Sequence, residues 1–162
     1  CYSYCMEERE RPGMFYPEKA KALGMPEGNL WHRLQHGEDV EFNGKIVKSE
    51  EATGPTRKGR KIGISGDTRP DDNLIEFFRD CDLLIFDSTY GEEHKEKAAE
   101  NMHSTAKEAA MLAVKANVKK LVLTHFSARY EDASVLLKEA LEIHPNVVAA
   151  EDLMTMEVPY VQ

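Results

Sequence analysis

The chain has too few cysteines to be a disulfide-built module. Its 162 residues hold three, at positions 1, 5 and 81, with no CxxC pair and no even set to bridge. Such usage fits free thiols in a reducing cytoplasm. No apolar run approaches the length of a bilayer span, and no signal-peptide pattern is present. A Gly-rich phosphate-binding loop is missing, which argues against a stand-alone doubly wound binding domain. There is no HExxH run, no internal repeat and no low-complexity tract. Cations are in deficit, with 21 Lys and Arg against 29 Asp and Glu and a net charge of −8. That balance excludes broad coating of nucleic acid and leaves room for a localised basic patch. An initiator Met is also missing. The opening Cys1-Tyr2-Ser3-Tyr4-Cys5 already has strand-like composition, so a fragment or processed chain is expected.

What is present describes a globular protein with a sizeable core, 41% hydrophobic and 31% charged. Residues 1 to 6 read as a strand, broken by the charged stretch Glu7 to Gly13. Pro17 marks a helix start and Gly24 its end, and Asn29 is placed to cap a second short helix ending before Gly37. Two short helices with little apolar surface build little core, so residues 7–37 read as a protruding arm, with Trp31 either an anchor or a contact residue. Asn43-Gly44 between short alternating runs predicts a hairpin. Arg57-Lys58-Gly59-Arg60-Lys61 is the one concentrated basic run; it is either a solvated loop or a phosphate contact.

From residue 61 the rhythm is α/β. Strands are expected at 61–65, 83–86, 121–123, 147–150 and near 153–158. Helices are expected around 72–80, through about 100, from the Thr105/Glu108 capping box, and around 131–142. The organising stretch is Ser65-Gly66-Asp67-Thr68-Arg69-Pro70, a Gly-containing turn leaving the first of these strands. Asp67, Asp87 and His125 each follow a strand, and neighbouring parallel strands would bring such loops to one edge. His103 sits in a loop just ahead of the Thr105 cap. Carboxylate and imidazole donors suit zinc, manganese or iron, which activate a bound water. The plainer reading makes Asp67 a helix cap, Asp87 a loop brace, His125 a backbone-bonded histidine, and Arg69 and Arg129 surface cations. His32, His36, His94 and His144 are read as non-catalytic.

The order Ser65-Gly66-Asp67-Thr68-Arg69, then Asp82 to Tyr90 (DLLIFDSTY), His103-Ser104-Thr105, and Leu123 to Tyr130 (LTHFSARY) closely resembles the carboxyl-terminal half of the ribonuclease Z family. These are tRNA 3′-processing endonucleases of the metallo-β-lactamase-fold superfamily. The likeness covers essentially all of 1–162, including Pro12-Gly13, Leu23 to Pro26 and Gly59-Arg60-Lys61. It implies the carboxyl-terminal half of an αββα sandwich carrying a helical arm. It also implies a cytoplasmic, homodimeric enzyme that removes the 3′ trailer of precursor tRNA with two zinc ions.

By the same resemblance, Asp67 would bridge the two metals and His125 would ligate one. His103 would donate a proton to the leaving oxygen or hold the phosphate, with Asp87 braced against it where the family usually has Glu; Phe86 replaces a common histidine. Thr124, Ser127 and Arg129 would line the phosphate pocket, and Arg57, Lys58 and Arg60 would contact tRNA. The family's HxHxDH segment and a further ligand histidine are not in this chain. Alone it is therefore expected to bind zinc poorly and to lack nuclease activity. The rival readings are another metal-dependent phosphodiesterase or ester hydrolase, and a non-catalytic structural half pairing with a separate amino-terminal chain.

Overall fold

A computed structural model describes residues 1–160 of the chain. They form two compact units, one of residues 1–7 with 60–160 and one of residues 8–59. Strand β1 (Tyr4–Glu7) belongs to the first unit.

The second unit contains α1 (Pro17–Ala22), α2 (Asn29–Gln35), β2 (Val40–Phe42), β3 (Lys45–Val47) and α3 (Ser49–Ala52). Pro17 opens α1, where its missing N–H costs nothing. The cap of α2 is Gly28, and Asn29 is already helical, so Asn29 does not cap as the sequence suggested. Asn43 and Gly44 take φ of +51° and +73°, the left-handed pair that a two-residue hairpin turn demands. This unit has more core than its two helices promise. The hairpin and α3 add Val40, Val47 and Ala52 to Ala20, Met25, Trp31 and Leu34. Trp31 is the anchor here. It is buried, its Nε1 donates to the Met25 carbonyl at 3.3 Å, and its ring packs 5.5 Å from that of Phe15.

The first unit continues with β4 (Lys61–Ile64), α4 (Asp72–Phe77), β5 (Leu83–Asp87), a 3-10 turn (Glu92–His94), α5 (Lys95–Glu100), α6 (Ala106–Lys115), β6 (Leu121–Thr124), α7 (Ser134–Leu141) and β7 (Val147–Ala149). The sheet order is β1-β4-β5-β6-β7; β1 runs antiparallel to β4 and the other neighbours are parallel. Alternation along the strands gives the sheet two apolar faces. Leu84, Phe86, Leu121 and Leu123 pack with Ala106, Ala109, Ala110 and Ala113 of α6, whose small side chains allow close approach. A Cβ on Gly63 would lie within 2.9 Å of the Phe78 ring and Leu84, so only glycine fits that strand position. Reciprocal bonds between Thr105 and Glu108 form the expected capping box, at 3.0 and 3.1 Å. The opposite face carries Tyr4, Met6, Ile62, Ile64, Ile85 and Val122, with Tyr4 and Met6 65% and 63% exposed.

Some expected boundaries move. The helix expected over 72–80 stops at Phe77, and Asp80 lies in the left-handed region at φ +58°. Asp87 is the last residue of β5, paired with Thr124, and not the first of a loop. Residues 153–158 form no strand; the Val158 carbonyl is bonded instead by the Arg60 guanidinium at 3.0 Å, which also lies 4.2 Å from the centre of the Tyr160 ring. Among the described residues no helix is long and apolar enough to cross a membrane.

Candidate metal centre

Strands β4, β5 and β6 are parallel neighbours, so their carboxyl ends share one edge. Backbone turns there point the chemistry-bearing residues outward. Gly66 has φ +63°, and a Cβ on it would stand 2.6 Å from Cys1 Sγ and 2.9 Å from the Tyr2 carbonyl oxygen. His125, directly after β6, itself has φ +63°, an uncommon and strained conformation for a residue with a side chain. Met102, just ahead of His103, has φ +60°.

Asp87 is the hub, fully buried at the end of β5. Its Oδ2 accepts from the Thr68 N–H at 2.9 Å and from His103 Nδ1 at 2.8 Å. Its Oδ1 accepts from the Thr89 N–H at 3.0 Å and from the Thr89 hydroxyl at 2.6 Å. The Thr89 oxygen in turn lies 2.8 Å from His125 Nδ1. The rings of His103 and His125 stack with centres 5.0 Å apart. On the outer side His125 Nε2 stands 3.5 Å from Asp67 Oδ2, both side chains about half exposed.

Asp87, His103 and His125 bring three ligand atoms within 4.8 Å of one another, the one such cluster among the described residues. The carboxylate of Asp87, however, has all four of its acceptor positions filled by protein donors, which leaves none open to a metal. The open donors are Asp67 and His125 Nε2. Zinc bonds of 2.0–2.2 Å in a tetrahedron put neighbouring ligand atoms about 3.4 Å apart, which the 3.5 Å separation fits. These two side chains fit a zinc ion but do not complete its coordination.

The other residues named from the sequence divide into two groups. Thr124 ends β6, and Ser127 and Arg129 lie in the loop that follows, next to His125. Arg129 Nε donates to Ser127 Oγ at 3.0 Å, and its guanidinium lies 5.0 Å from the centre of the Tyr90 ring. Arg60 precedes β4, at the opposite end of that strand from Asp67. Arg57 and Lys58 belong to the second unit, where Arg57 Nε donates to the Pro12 carbonyl at 3.1 Å.

Sequence reasoning passed over several residues that shape the site. Arg69 is no idle surface cation: it pairs with Glu108 and donates to the His103 carbonyl at 2.7 Å. Ser104 Oγ donates to the Thr68 carbonyl at 2.5 Å. Together they tie the Asp67 turn to the His103 segment, a link implicit in the SGDTR and HST motifs. Thr89 donates to one site residue and contacts another. Tyr130 accepts from the Gly91 N–H at 2.7 Å and donates to Glu93 at 3.0 Å, and burial pushes its phenol up. The remaining histidines lie outside the constellation. His144 is buried and bonded to the Val118 carbonyl. His32 and His36 do have HxxxH spacing, with rings 4.2 Å apart on α2, and His36 Nδ1 bonds the His32 carbonyl.

The family profile described as "Beta-lactamase superfamily domain" matches residues 32–126. A Ribonuclease Z from Nitrosopumilus maritimus is 55% identical over 157 residues, which cover 97% of this chain and 52% of the relative. One from Methanosarcina acetivorans is 51% identical over 158 residues with the same coverage. The crystal structure of human tRNase Z, short form, superposes with a TM-score of 0.51 at 34% identity, over 70% of this chain and 37% of that one. The chain thus spans about half the length of the curated relatives it matches. It belongs to the β-lactamase superfamily, with a metallo-β-lactamase-type α/β fold, and is similar over nearly its whole length to about half of these ribonuclease Z relatives.

Proposed function

We propose that this chain is the carboxyl-terminal half of a zinc-dependent endoribonuclease that removes the 3′ trailer of precursor tRNA. The observation that carries the reading is the convergence of Asp67, His125 and the braced His103 on one strand edge. The names of the curated relatives support a ribonuclease, and that of the human tRNase Z structure supports a tRNA substrate. An amino-terminal half supplies the remaining metal ligands and covers the apolar sheet face that bears Tyr4, Met6 and Ile64. Residues 7–37 act as an arm that holds the tRNA body, and the intact enzyme is a cytoplasmic homodimer.

Two bound zinc ions would lower the pKa of a shared water and offset charge on the scissile phosphate. Asp67 would bridge them and His125 would ligate one. His103 is held through Nδ1 by Asp87, which leaves its Nε2 edge to pass a proton to the departing oxygen. Asp87 thus reaches His103 although it is one methylene shorter than Glu. Arg129, backed by Tyr90 and Ser127, offers a guanidinium to phosphate oxygens, alongside the hydroxyls of Thr124 and Ser127.

The test is metal content and cleavage of precursor tRNA, for this chain alone and after mixing with the amino-terminal half of a close relative. Two metals per complex and cleavage only in the mixture are expected. A folded mixture with neither overturns the reading, and metal with hydrolysis of small phosphodiesters but not of precursor tRNA favours the rival hydrolase.

A further inference from the structure

Thr89 has no part in the roles assigned so far, yet it stands between the buried carboxylate and the exposed histidine. An ionised carboxylate can only accept, so at 2.6 Å the Thr89 hydroxyl must give its proton to Asp87 Oδ1. Having spent its proton there, the same oxygen can only accept from His125 Nδ1, 2.8 Å away. Nδ1 therefore carries hydrogen, and the lone pair of the neutral ring falls on Nε2, the atom that faces Asp67. Other bonds hold Thr89 in place. Its N–H donates to Asp87 Oδ1, and its carbonyl accepts from the Ser127 N–H at 3.1 Å. The side chain is 5% exposed, so water does not compete for the hydroxyl.

We propose that Thr89 is a positioning residue that fixes the tautomer of His125 through Asp87 and so presents Nε2 to the metal. One buried carboxylate then sets both histidines, His103 by direct contact and His125 through a hydroxyl. The strained backbone at His125 is consistent with a ring whose orientation is imposed by a partner and not by its own chain. The inference rests on His125 being a metal ligand, and its test separates the two claims.

The test compares the full chain with its Thr89→Val and Thr89→Ser variants, with ¹⁵N-labelled histidine at pH ~8, above the ordinary imidazole range. His125→Gln identifies the signal. The Nδ1–H tautomer is expected in the unaltered chain and in Thr89→Ser. In Thr89→Val, which keeps the shape and loses the hydroxyl, the signal should move towards Nε2–H. In the complex with the amino-terminal half, chelator competition should show zinc bound roughly 10- to 100-fold more weakly by Thr89→Val, with Thr89→Ser restoring most of it. An Nε2–H ring in the unaltered chain, an unmoved tautomer in Thr89→Val, or unchanged zinc affinity overturns the proposal. A Thr89-dependent tautomer in a complex that binds no zinc would overturn the metal reading and leave the positioning of His125 standing.

Discussion

Asp67 Oδ2 and His125 Nε2 face each other across 3.5 Å from the ends of two different strands. A carboxylate oxygen and an imidazole lone pair aimed at one point make a place for a cation. Both side chains are about half exposed, so neither is needed for packing. Asp67→Asn and His125→Ala are therefore expected to abolish zinc uptake in the reconstituted complex while changing stability by no more than about 0.5 kcal/mol. Metal content and thermal unfolding of the same samples check this. Unfolding in step with metal loss would make the pair structural.

Asp87 should behave in the opposite way. Its carboxylate satisfies the Thr68 and Thr89 amides, the Thr89 hydroxyl and His103 Nδ1. Asp87→Ala strands these donors in a dry site and is expected to cost roughly 3 kcal/mol or more. Asp87→Glu keeps the charge but forces an extra methylene into a fully buried position, at a cost of about 1–3 kcal/mol. Denaturant melts of the two variants measure both effects.

The sequence showed which residues matter more clearly than how they are held. Asp67, Asp87 and His125 are legible because each stands at a strand end, and strand ends follow from apolar runs such as Leu83 to Phe86 and Leu121 to Leu123. The Asn43-Gly44 hairpin and the Thr105/Glu108 box are legible because their chemistry is local. The contact of Thr89 with His125 and the bonds of Arg69 are not, since each joins segments far apart in sequence. The core around Trp31 was missed for the same reason: its apolar residues are thinly spread over five short elements and gather only on folding. The expected strand at 153–158 failed because alternation alone cannot tell a paired segment from one bonded to an arginine.

The basic run makes a graded prediction about RNA. Lys58 is exposed, and Lys58→Ala is expected to weaken precursor-tRNA binding about equally for all substrates, reducing the salt slope of log K by roughly one. Arg60 is already bonded to the Val158 carbonyl and stacked on Tyr160. Arg60→Ala should therefore lower thermal stability and change the salt slope less. Binding titrations at several salt concentrations, with melts alongside, separate the two. Equal slopes for Lys58→Ala and the unaltered complex would make the run a solvated loop.

The three thiols should differ sharply in reactivity. Burial first, and the neighbouring Cys5 second, push the Cys81 thiol up to about 12, so near neutral pH almost none of it is thiolate. Cys1 is exposed. Brief alkylation at pH ~8 followed by mass spectrometry is expected to label Cys1 readily and Cys81 only in denaturant. Rapid native labelling of Cys81 would show that the core around Phe78 and Leu84 opens.

Glu139 on α7 supplies the pH dependence. Burial is the main cause that raises its carboxyl above the ordinary value, the Glu92 N–H bond opposes it, and the charges of Glu93 and Glu92 add to the rise. The folded state thus holds this proton more tightly than the unfolded chain. Its contribution is fully favourable below the ordinary carboxyl value of 4.5 and is lost as pH rises through the raised folded value. Above that window the ionised side chain destabilises the fold. Glu139→Gln keeps an oxygen to accept the Glu92 N–H and carries no charge. It should be more stable than the unaltered chain at neutral pH, with the advantage shrinking to nothing as pH falls below 4.5. Melting curves of both proteins across that range check the sign; an advantage that grows on acidification would mean that the carboxylate is stabilised by a partner and not opposed by its neighbours.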